Sequence, residues 1–235
     1  MPSDQLSNKV ALVTGSGRGI GKAVAIAFAK EGAKLILVAR TNSQLQETAK
    51  EITDAGGEAF TITADLTDTN QVADMATQVR DQVGSIDILF NNAGIGSFGT
   101  SVEMEAAQWE QVIAVDLHSV FYACHAAIPH MKPGSTIVNT ASISGLGGDY
   151  RFAAYNAAKG AVINYTRSLA MDHARDGIRV NALCPGLIDT PITAATKEIP
   201  GLIEDWISRI PMGRAAQPEE MASVVAFLAS DDASY

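Results

Sequence analysis

The chain has 235 residues, of which 47% are hydrophobic, and a formal net charge of −9. This length and apolar content predict one globular domain over residues 1–235, with a large core. The acidic balance and the lack of a basic cluster argue against nucleic acid or an anionic membrane surface as a partner. No stretch approaches 18 uninterrupted apolar residues and the first residues lack a signal-peptide core, so we expect a cytoplasmic protein without a membrane span.

The cysteines and histidines show no metal-binding spacing. Cys124 and Cys184 stand alone in the sequence and are predicted to be buried thiols in a reducing compartment. The four histidines form no His-x-x-x-His pair, so no metal site is predicted.

A glycine-rich turn follows the first predicted strand. The strand covers residues 9–13, the turn TGSGRGIG covers 14–21, and a helical pattern runs from about Ile20 to Gly32. A second strand, Lys34–Ala39, completes a strand–helix–strand unit. In such a unit the glycines let the backbone approach a pyrophosphate, and the first helical N–H groups bind it. The order of elements therefore predicts a dinucleotide site.

The end of the second strand predicts which nicotinamide cofactor is bound. An acidic residue there would bind the free 2′-hydroxyl of the adenosine ribose and repel a 2′-phosphate. This chain has Ala39 and Arg40 instead, with Arg18 in the glycine turn as a second cation. Guanidinium groups bind phosphate well, so NADP(H) is predicted over NAD(H). A merely solvated Arg40 is the alternative.

The alternation of strands and helices continues along the chain. Helices are predicted at 43–55 and 70–83, strands at 59–63 and 86–91, and a longer apolar helical region at 106–131. A fifth strand at 135–142, a helix from 152, a sixth strand at 178–184 and a helix from Pro218 follow. This pattern predicts an α/β Rossmann fold, a doubly wound parallel sheet of six strands with helices on both faces.

The stretch from 139 to 169 contains the groups best suited to chemistry. Ser142 ends the fifth strand, and Tyr155 and Lys159, four residues apart on a helix, share one face. An ammonium about 4 Å from a phenol supplies about 4 kcal/mol in favour of the phenolate at an effective dielectric constant near 20. Ser142, Tyr155 and Lys159 are therefore the predicted catalytic residues, with Tyr155 as a general acid–base near neutral pH. A solvated helix face would show the same spacing, but the flexible glycine loop before the helix favours function.

Other predicted site residues follow the strands at the edge where open α/β sheets bind ligands. Asp65 follows the third strand, although helix capping explains it equally well, and Thr190 is placed to reach a cofactor amide. The residues predicted to bind the cofactor are Gly15, Ser16, Arg18, Gly19, Ile20, Gly21, Arg40, Asp65, Leu66, Asn92, Gly94, Tyr155, Lys159, Pro185, Gly186, Ile188 and Thr190.

A segment at about 190–214 is predicted to be a substrate lid, because it is amphipathic and bounded by prolines. A static surface helix is the alternative. The residues predicted to line the substrate pocket are Ile95, Ser144, Leu146, Phe152, Leu187 and Trp206.

Taken in order, these motifs resemble a known family. TGSGRGIG, the NNAG of residues 91–94, Ser142 with YNAAK thirteen residues later, and the PG after the sixth strand resemble the short-chain dehydrogenases/reductases of the compact single-domain type. The resemblance implies a seven-stranded Rossmann fold, of which six strands are found in this sequence, usually assembled as a homotetramer. It also implies that Tyr155 donates a proton to a carbonyl oxygen, that Ser142 hydrogen-bonds to that oxygen, and that Lys159 holds the nicotinamide ribose and favours the phenolate.

One position departs from the family pattern. Members often have asparagine in a VNL-like segment before the fifth strand, where it supports a water bridging to the lysine. This chain has VDL with Asp116, an acceptor that lacks the amide donor, and Asp116 is not assigned to the site.

The resemblance implies a function and leaves alternatives open. It implies an NADPH-dependent carbonyl reductase or secondary alcohol dehydrogenase for a small ketone or diketone, acetoin and butanediol among them. A 3-oxoacyl carrier-protein reductase is one alternative; Arg151 would then help dock the acidic carrier, although the net charge of −9 argues mildly against it. A non-catalytic NADP(H)-binding regulator is another, as is a lyase or epimerase, whose usual GxxGxxG turn is missing.

Overall fold

The structure is a computed structural model that describes residues 4–194, 199 and 201–235. Six parallel strands form one sheet in the order β3-β2-β1-β4-β5-β6. The strands are β1 Val10–Thr14, β2 Lys34–Ala39, β3 Glu58–Thr63, β4 Ile86–Asn91, β5 Met131–Thr140 and β6 Arg179–Leu183. The order reverses between β1 and β4, and such a switch point opens a crevice at the carboxyl ends of the strands.

Helices cover both faces of the sheet. They are α1 Gly19–Lys30, α2 Asn42–Asp54, α3 Thr69–Val83, α4 Ala106–Ile113, α5 Ser119–Ala127, α6 Ser144–Gly147, α7 Ala153–His173, α8 Pro191–Ala194, α9 Leu202–Ser208 and α10 Pro218–Ala229. One core contains buried side chains of α1, α2 and α10, such as Phe28, and the opposite core contains those of α3, α5 and α7, such as Met75 and Val162. The predicted Rossmann architecture is therefore confirmed.

Two boundaries differ from the sequence prediction near the site. β5 ends at Thr140, so Ser142 lies just beyond the strand rather than within it. The apolar helical region is interrupted by a π-helical turn, Ala114–His118, between α4 and α5. A π turn accommodates one extra residue and is frequent at functional sites. This turn contains Asp116.

The turn after β1 is tied to the loop after β4. The hydroxyl oxygen of Thr14 accepts hydrogen bonds from the N–H groups of Asn92 at 2.9 Å and Ala93 at 3.1 Å. The Asn92 side-chain amide donates to the carbonyls of Thr14 and Gly15, each at 3.4 Å. These bonds fix the two walls of the crevice relative to each other.

Buried side chains also connect β4, β5 and α7. The Asn91 amide donates to Asn139 at 2.9 Å, and the Asn139 amide donates to Thr166 at 3.0 Å. All three side chains are buried. Because an unpaired buried polar group costs about 1–3 kcal/mol, these contacts favour one rotation of α7 against the sheet. That rotation sets the direction in which Tyr155 and Lys159 project.

The helical run Ala106–His130 is long and apolar enough, by length and composition, to cross a membrane. In this fold it packs against β4, α3 and α7, and the side chain of Asp116 within it is buried. This packing is typical of a core helix.

Candidate active site

Two cavities meet at the carboxyl edge of the sheet. The first is a cleft of about 210 Å³ at the switch point, and the second is a cavity of about 400 Å³ beside α7. Ile192 of α8 lines both of them. The predicted cofactor residues that line the cleft are Gly15, Arg18, Gly19, Ile20, Arg40, Asp65, Leu66, Asn92, Gly94 and Thr190.

Other predicted cofactor residues lie behind the cleft or beside it. Ser16 and Ile188 are buried, and Pro185 does not line either cavity. A Cβ atom on Gly21 would lie 2.3 Å from the carbonyl oxygen of Gly15, so Gly21 lets α1 pack closely under the turn. Gly186 and Tyr155 line the second cavity instead.

Several cleft residues were not predicted from the sequence. They are Gly17, Val38, Ala39, Thr41, Gln44, Ala64, Thr67, Ala93, Val115, Ser119, Pro191 and Ile192. Most are direct neighbours of predicted residues along the chain. Val115 and Ser119 reach the cleft from the helical run before β5, and no sequence motif marks them.

The cleft fits a nicotinamide dinucleotide. No side chain caps the beginning of α1, and its first turn contains no acidic residue, so its free N–H groups suit a pyrophosphate. Arg40 lies 3.9 Å from Asp65, and the two side chains are 58% and 36% exposed. An ion pair this long and this exposed is weak, so the guanidinium stays available to a phosphate.

Tyr155 and Ser142 both line the second cavity, and Lys159 lies behind the tyrosine ring. The Lys159 ammonium is 5.5 Å from the centre of the Tyr155 ring and is almost fully buried. It donates to the carbonyl of Thr140 at 3.0 Å and pairs with Asp116 Oδ1 at 3.0 Å. The structure thus brings the three predicted catalytic residues to one place.

Asp116 belongs to this cluster although it was not assigned to the site from the sequence. Its side chain is fully buried, and its carboxylate also accepts a hydrogen bond from the Ile95 N–H at 3.1 Å. Burial raises the pKa of the Asp116 carboxyl, and the Lys159 ammonium and the Ile95 N–H act in the opposite direction. The sequence did contain a signal for this pairing. A carboxylate within an apolar helical run is expected to be buried, and a buried charge requires a partner.

Ser142 begins a chain of polar side chains along the cavity. Its hydroxyl donates to Ser144 Oγ at 3.1 Å and accepts from the Ser144 N–H at 3.2 Å. The Ser144 hydroxyl in turn donates to the Asp149 carboxylate. These contacts fix the position of Ser142 Oγ, and its O–H can rotate towards a ligand oxygen.

The remaining walls of the second cavity are mostly apolar. Ser144, Phe152, Leu187 and Trp206 line it as predicted, whereas Ile95 packs in a small cluster near α4 and α7. Leu146 is 64% exposed and does not line the cavity. The predicted lid contributes Trp206 of α9, whose ring centre is 5.7 Å from that of Phe152; its residues 195–198 and 200 lie outside the described residues.

Comparisons with known proteins agree with this geometry. A family model described as enoyl-(acyl carrier protein) reductase matches residues 15–235. Meso-2,3-butanediol dehydrogenase of Serratia marcescens is 42% identical over 232 residues, covering 98% of this chain and 91% of the relative. The chain belongs to the short-chain dehydrogenase/reductase family.

Two further members support the assignment to this short-chain dehydrogenase/reductase family. Cyclohexanol dehydrogenase of Acinetobacter sp. is 40% identical and covers 99% of this chain and 92% of the relative. A crystal structure of an actinorhodin polyketide ketoreductase with NADPH is 34% identical, covers 98% of this chain and 93% of that one, and has a TM-score of 0.91. The predicted family and enzyme class, a nicotinamide-dependent oxidoreductase of CH–OH groups, are confirmed.

No metal site is found in the part of this short-chain dehydrogenase/reductase that the structure describes. Among residues 4–194, 199 and 201–235, no group of three or more His, Cys, Asp or Glu side chains is placed to hold a metal ion.

Close packing of α6 on α7 positions the Ser142 loop. A Cβ atom on Gly145 would lie 2.5 Å from the carbonyl carbon of Lys159 and 2.7 Å from the Gly160 nitrogen. We therefore expect Gly145→Ala to push the loop away from α7, to lower the free energy of unfolding by about 1–3 kcal/mol and to reduce kcat. Urea denaturation and steady-state kinetics measure the two effects.

Gly147 is the matched control, because an added Cβ there meets no atom within 4 Å. Gly147→Ala should change the free energy of unfolding by about 0.5 kcal/mol or less. Equal effects at Gly145 and Gly147 would contradict the packing argument.

Proposed function

We propose that the protein is an NADPH-dependent carbonyl reductase, or secondary alcohol dehydrogenase in the reverse direction, for a small ketone or diketone. The observation on which this rests is the shared cavity of Ser142 and Tyr155, which adjoins the dinucleotide cleft at Ile192. When bound, the nicotinamide supplies or accepts the hydride. The protein aligns the carbonyl and handles its proton.

Each of the three side chains has a distinct proposed role. Tyr155 donates a proton to the carbonyl oxygen, and Ser142 donates a hydrogen bond to the same oxygen. Two of the three Lys159 N–H donors are used by Asp116 and Thr140, which leaves one for a ribose hydroxyl. The lysine charge favours the phenolate form that alcohol oxidation requires.

The cavity supports a small and largely apolar substrate. About 400 Å³ bounded by Phe152, Leu187 and Trp206 suits acetoin, butanediol or a cyclic ketone. The relatives named as dehydrogenases of 2,3-butanediol and cyclohexanol support this size range.

A 3-oxoacyl-[acyl-carrier-protein] reductase is the second candidate, because the 3-oxoacyl-[acyl-carrier-protein] reductase of Thermotoga maritima is 39% identical over 98% of this chain and 94% of the relative. An acidic carrier protein needs a basic docking surface. Arg151, the predicted docking residue, pairs with Glu103 at 3.0 Å and lies over the Phe98 ring at 4.7 Å. Its guanidinium is therefore engaged within the chain, which favours the free ketone.

A spectrophotometric screen tests the proposal directly. The panel contains acetoin, diacetyl, cyclohexanone and a 3-oxoacyl thioester, each with NADPH and with NADH at 340 nm. Turnover of the small ketones with NADPH is expected. Preferred turnover of the thioester would favour the carrier-protein reductase, and tight NADPH binding without any turnover would favour the non-catalytic regulator.

Arg40 is proposed to select NADPH by binding its 2′-phosphate. We expect Arg40→Asp to lower the preference for NADPH over NADH, as a ratio of kcat/KM values, by about tenfold or more, because one charge-assisted hydrogen bond is worth about 1.5–3 kcal/mol. Kinetics with both cofactors measures the ratio.

Arg80→Asp is the control for this charge reversal. Arg80 lies on α3, pairs with Asp81 and does not line the cleft. The substitution Arg80→Asp should therefore leave the preference for NADPH over NADH unchanged. A wild-type enzyme that already prefers NADH would contradict the phosphate argument.

The proposal also covers the oligomeric state and the cellular location of the enzyme. We propose a homotetramer, supported by apolar side chains exposed on the α4–α5 and α10 surfaces: Trp109, Phe121, Val224 and Phe227. Buried Cys124 and partly exposed Cys184 are both free thiols, which supports a reducing, cytoplasmic location.

A further inference from the structure

A carboxylate lies in the wall of the second cavity, close to Ser142. Asp149, on the loop between α6 and α7, lines the same cavity as Ser142 and Tyr155. The Ser142 hydroxyl lies 3.1 Å from Ser144 Oγ, and the Ser144 hydroxyl donates to the Asp149 carboxylate. Two successive hydrogen bonds place the nearer carboxylate oxygen within about 6 Å of Ser142 Oγ. Neither the proton transfer nor the hydride transfer proposed above requires this carboxylate.

The Asp149 carboxylate has unused capacity for hydrogen bonds. An ionised carboxylate accepts about four of them, and in the described part of the chain only the Ser144 hydroxyl donates to this one. The Asn156 side chain contacts the backbone of Asp149 instead. It donates to the Asp149 carbonyl at 2.8 Å and accepts from the Asp149 N–H at 3.2 Å. The residue is thus fixed on α7, and its carboxylate can accept hydrogen bonds from a ligand.

The charge of this carboxylate is not balanced within the cavity. Among the described residues, the other charged residue that lines the cavity is Arg209, at the end of α9. Its guanidinium donates to the Asp205 carboxylate at 2.6 Å, so its charge is already paired. Asp149 forms no ion pair with any described residue. The cavity therefore favours a neutral ligand that carries a hydrogen-bond donor, and it disfavours an anion.

Ser97 is a second polar residue of this cavity that lacks a partner. It lines the cavity and is only 8% exposed, and its hydroxyl oxygen forms no hydrogen bond with any described residue. Buried polar groups are almost always hydrogen-bonded, so such an exception indicates a missing partner. With Ser142 and Tyr155 assigned to the reacting carbonyl, Asp149 and Ser97 remain for a second polar group of the substrate.

We propose that Asp149 is a specificity-determining residue that accepts a hydrogen bond from a hydroxyl group on the carbon next to the reacting carbonyl. The preferred substrates are then α-hydroxy ketones in reduction and neutral vicinal diols in oxidation. The inference rests on the proposed function and narrows its substrate class.

The geometry and the chemistry both favour this class. Oxygens on neighbouring carbon atoms lie about 3 Å apart, so a carbonyl oxygen can contact Ser142 and Tyr155 while the adjacent hydroxyl donates to Asp149. A diketone would direct a second acceptor at the carboxylate, and a simple ketone would direct an alkyl group at it. Either would leave the carboxylate without the donor that it loses when water is displaced.

The test compares wild-type enzyme and Asp149→Leu on two ketones with NADPH. They are acetoin and 3-methyl-2-butanone, in which a methyl group replaces the hydroxyl of acetoin. We expect the ratio of their kcat/KM values, acetoin over 3-methyl-2-butanone, to fall by about tenfold or more in Asp149→Leu, because a hydrogen bond to a charged group is lost. The intrinsic reactivities of the ketones cancel, since the same ratio is compared between two enzymes.

Ser144→Ala is the matched control. It removes the hydroxyl that links Asp149 to Ser142 and keeps the carboxylate. Both rates should change by a similar factor, so the ratio should stay within about threefold of the wild-type value. A fall in the ratio as large as that of Asp149→Leu would show that Asp149 acts through Ser142, and would overturn the inference.

The remaining outcomes separate this inference from the proposed function. An Asp149→Leu enzyme that loses activity equally on both ketones would show that Asp149 only shapes the loop, and would overturn the inference. Asp149→Asn replaces Asp149→Leu if that variant does not fold; its amide oxygen accepts a weaker hydrogen bond, so the ratio should fall by about threefold or more, and an unchanged ratio would overturn the inference.

A wild-type protein that reduces neither ketone would overturn the proposed function instead. Binding of 2,3-butanediol to the enzyme with NADPH, followed by the fluorescence of NADPH, then tests Asp149 without turnover. About tenfold weaker binding to Asp149→Leu would support the inference, and equal binding would overturn it.

Discussion

Tyr155→Phe is expected to reduce carbonyl reduction by at least a hundredfold while leaving the Kd for NADPH within about threefold of the wild type. A positioned general acid contributes about 10²- to 10⁴-fold to a proton-transfer step, and phenylalanine removes only the hydroxyl. The ring keeps its packing, since its centre lies 6.1 Å from that of Phe152. Steady-state kinetics and fluorescence titration with NADPH give the two values.

Tyr150→Phe is the control for this experiment. Tyr150 lies on the loop just before α7, is 80% exposed and does not line the second cavity. Its hydroxyl should be dispensable, so kcat should stay at the wild-type value. A Tyr155→Phe enzyme that retained more than about a tenth of wild-type kcat would remove the tyrosine from the proposed mechanism.

Much of the fold was predictable because local patterns determine it. Short apolar runs alternating with amphipathic stretches predict parallel strands and helices, and right-handed crossovers leave few topologies to consider. The same local logic applies to Tyr155 and Lys159, since a spacing of four residues places two side chains on one helical face. The glycine turn after β1 was likewise marked by its neighbours in the chain.

Contacts between segments that are distant in the chain are harder to predict from the sequence. The pairing of Asp116 with Lys159 joins residues from two helical segments, and it depends on a π-helical turn that no periodicity marks. Leu146 is an apolar example of the same difficulty. Its hydrophobicity predicts burial, but it does not predict which residues the side chain would contact. Its exposure follows from the direction of a four-residue helix, α6, against α7.

Lys159→Met is expected to lower the free energy of unfolding by about 3–5 kcal/mol and to abolish turnover. Methionine fills much of the same volume but leaves the Asp116 carboxylate buried and unpaired, and breaking a buried ion pair from one side typically costs this much. The loss of stability relative to the wild type should become smaller as the pH falls. Burial raises the pKa of Asp116, so the folded variant binds a proton that the unfolded chain does not, and acid stabilises it.

Urea denaturation of two further variants isolates the charge from the packing. Lys159→Met combined with Asp116→Asn removes the unpaired charge and should recover at least half of the lost stability while remaining inactive. Lys22→Met breaks surface pairs with Glu47 and Glu51, at 3.1 and 3.0 Å, whose glutamates are 74% and 52% exposed. It should cost about 1 kcal/mol or less, because solvent screens exposed pairs. Equal losses for the single and double variants at Lys159 would mean that the side chain stabilises α7 by packing alone, and that the buried carboxylate does not need its partner.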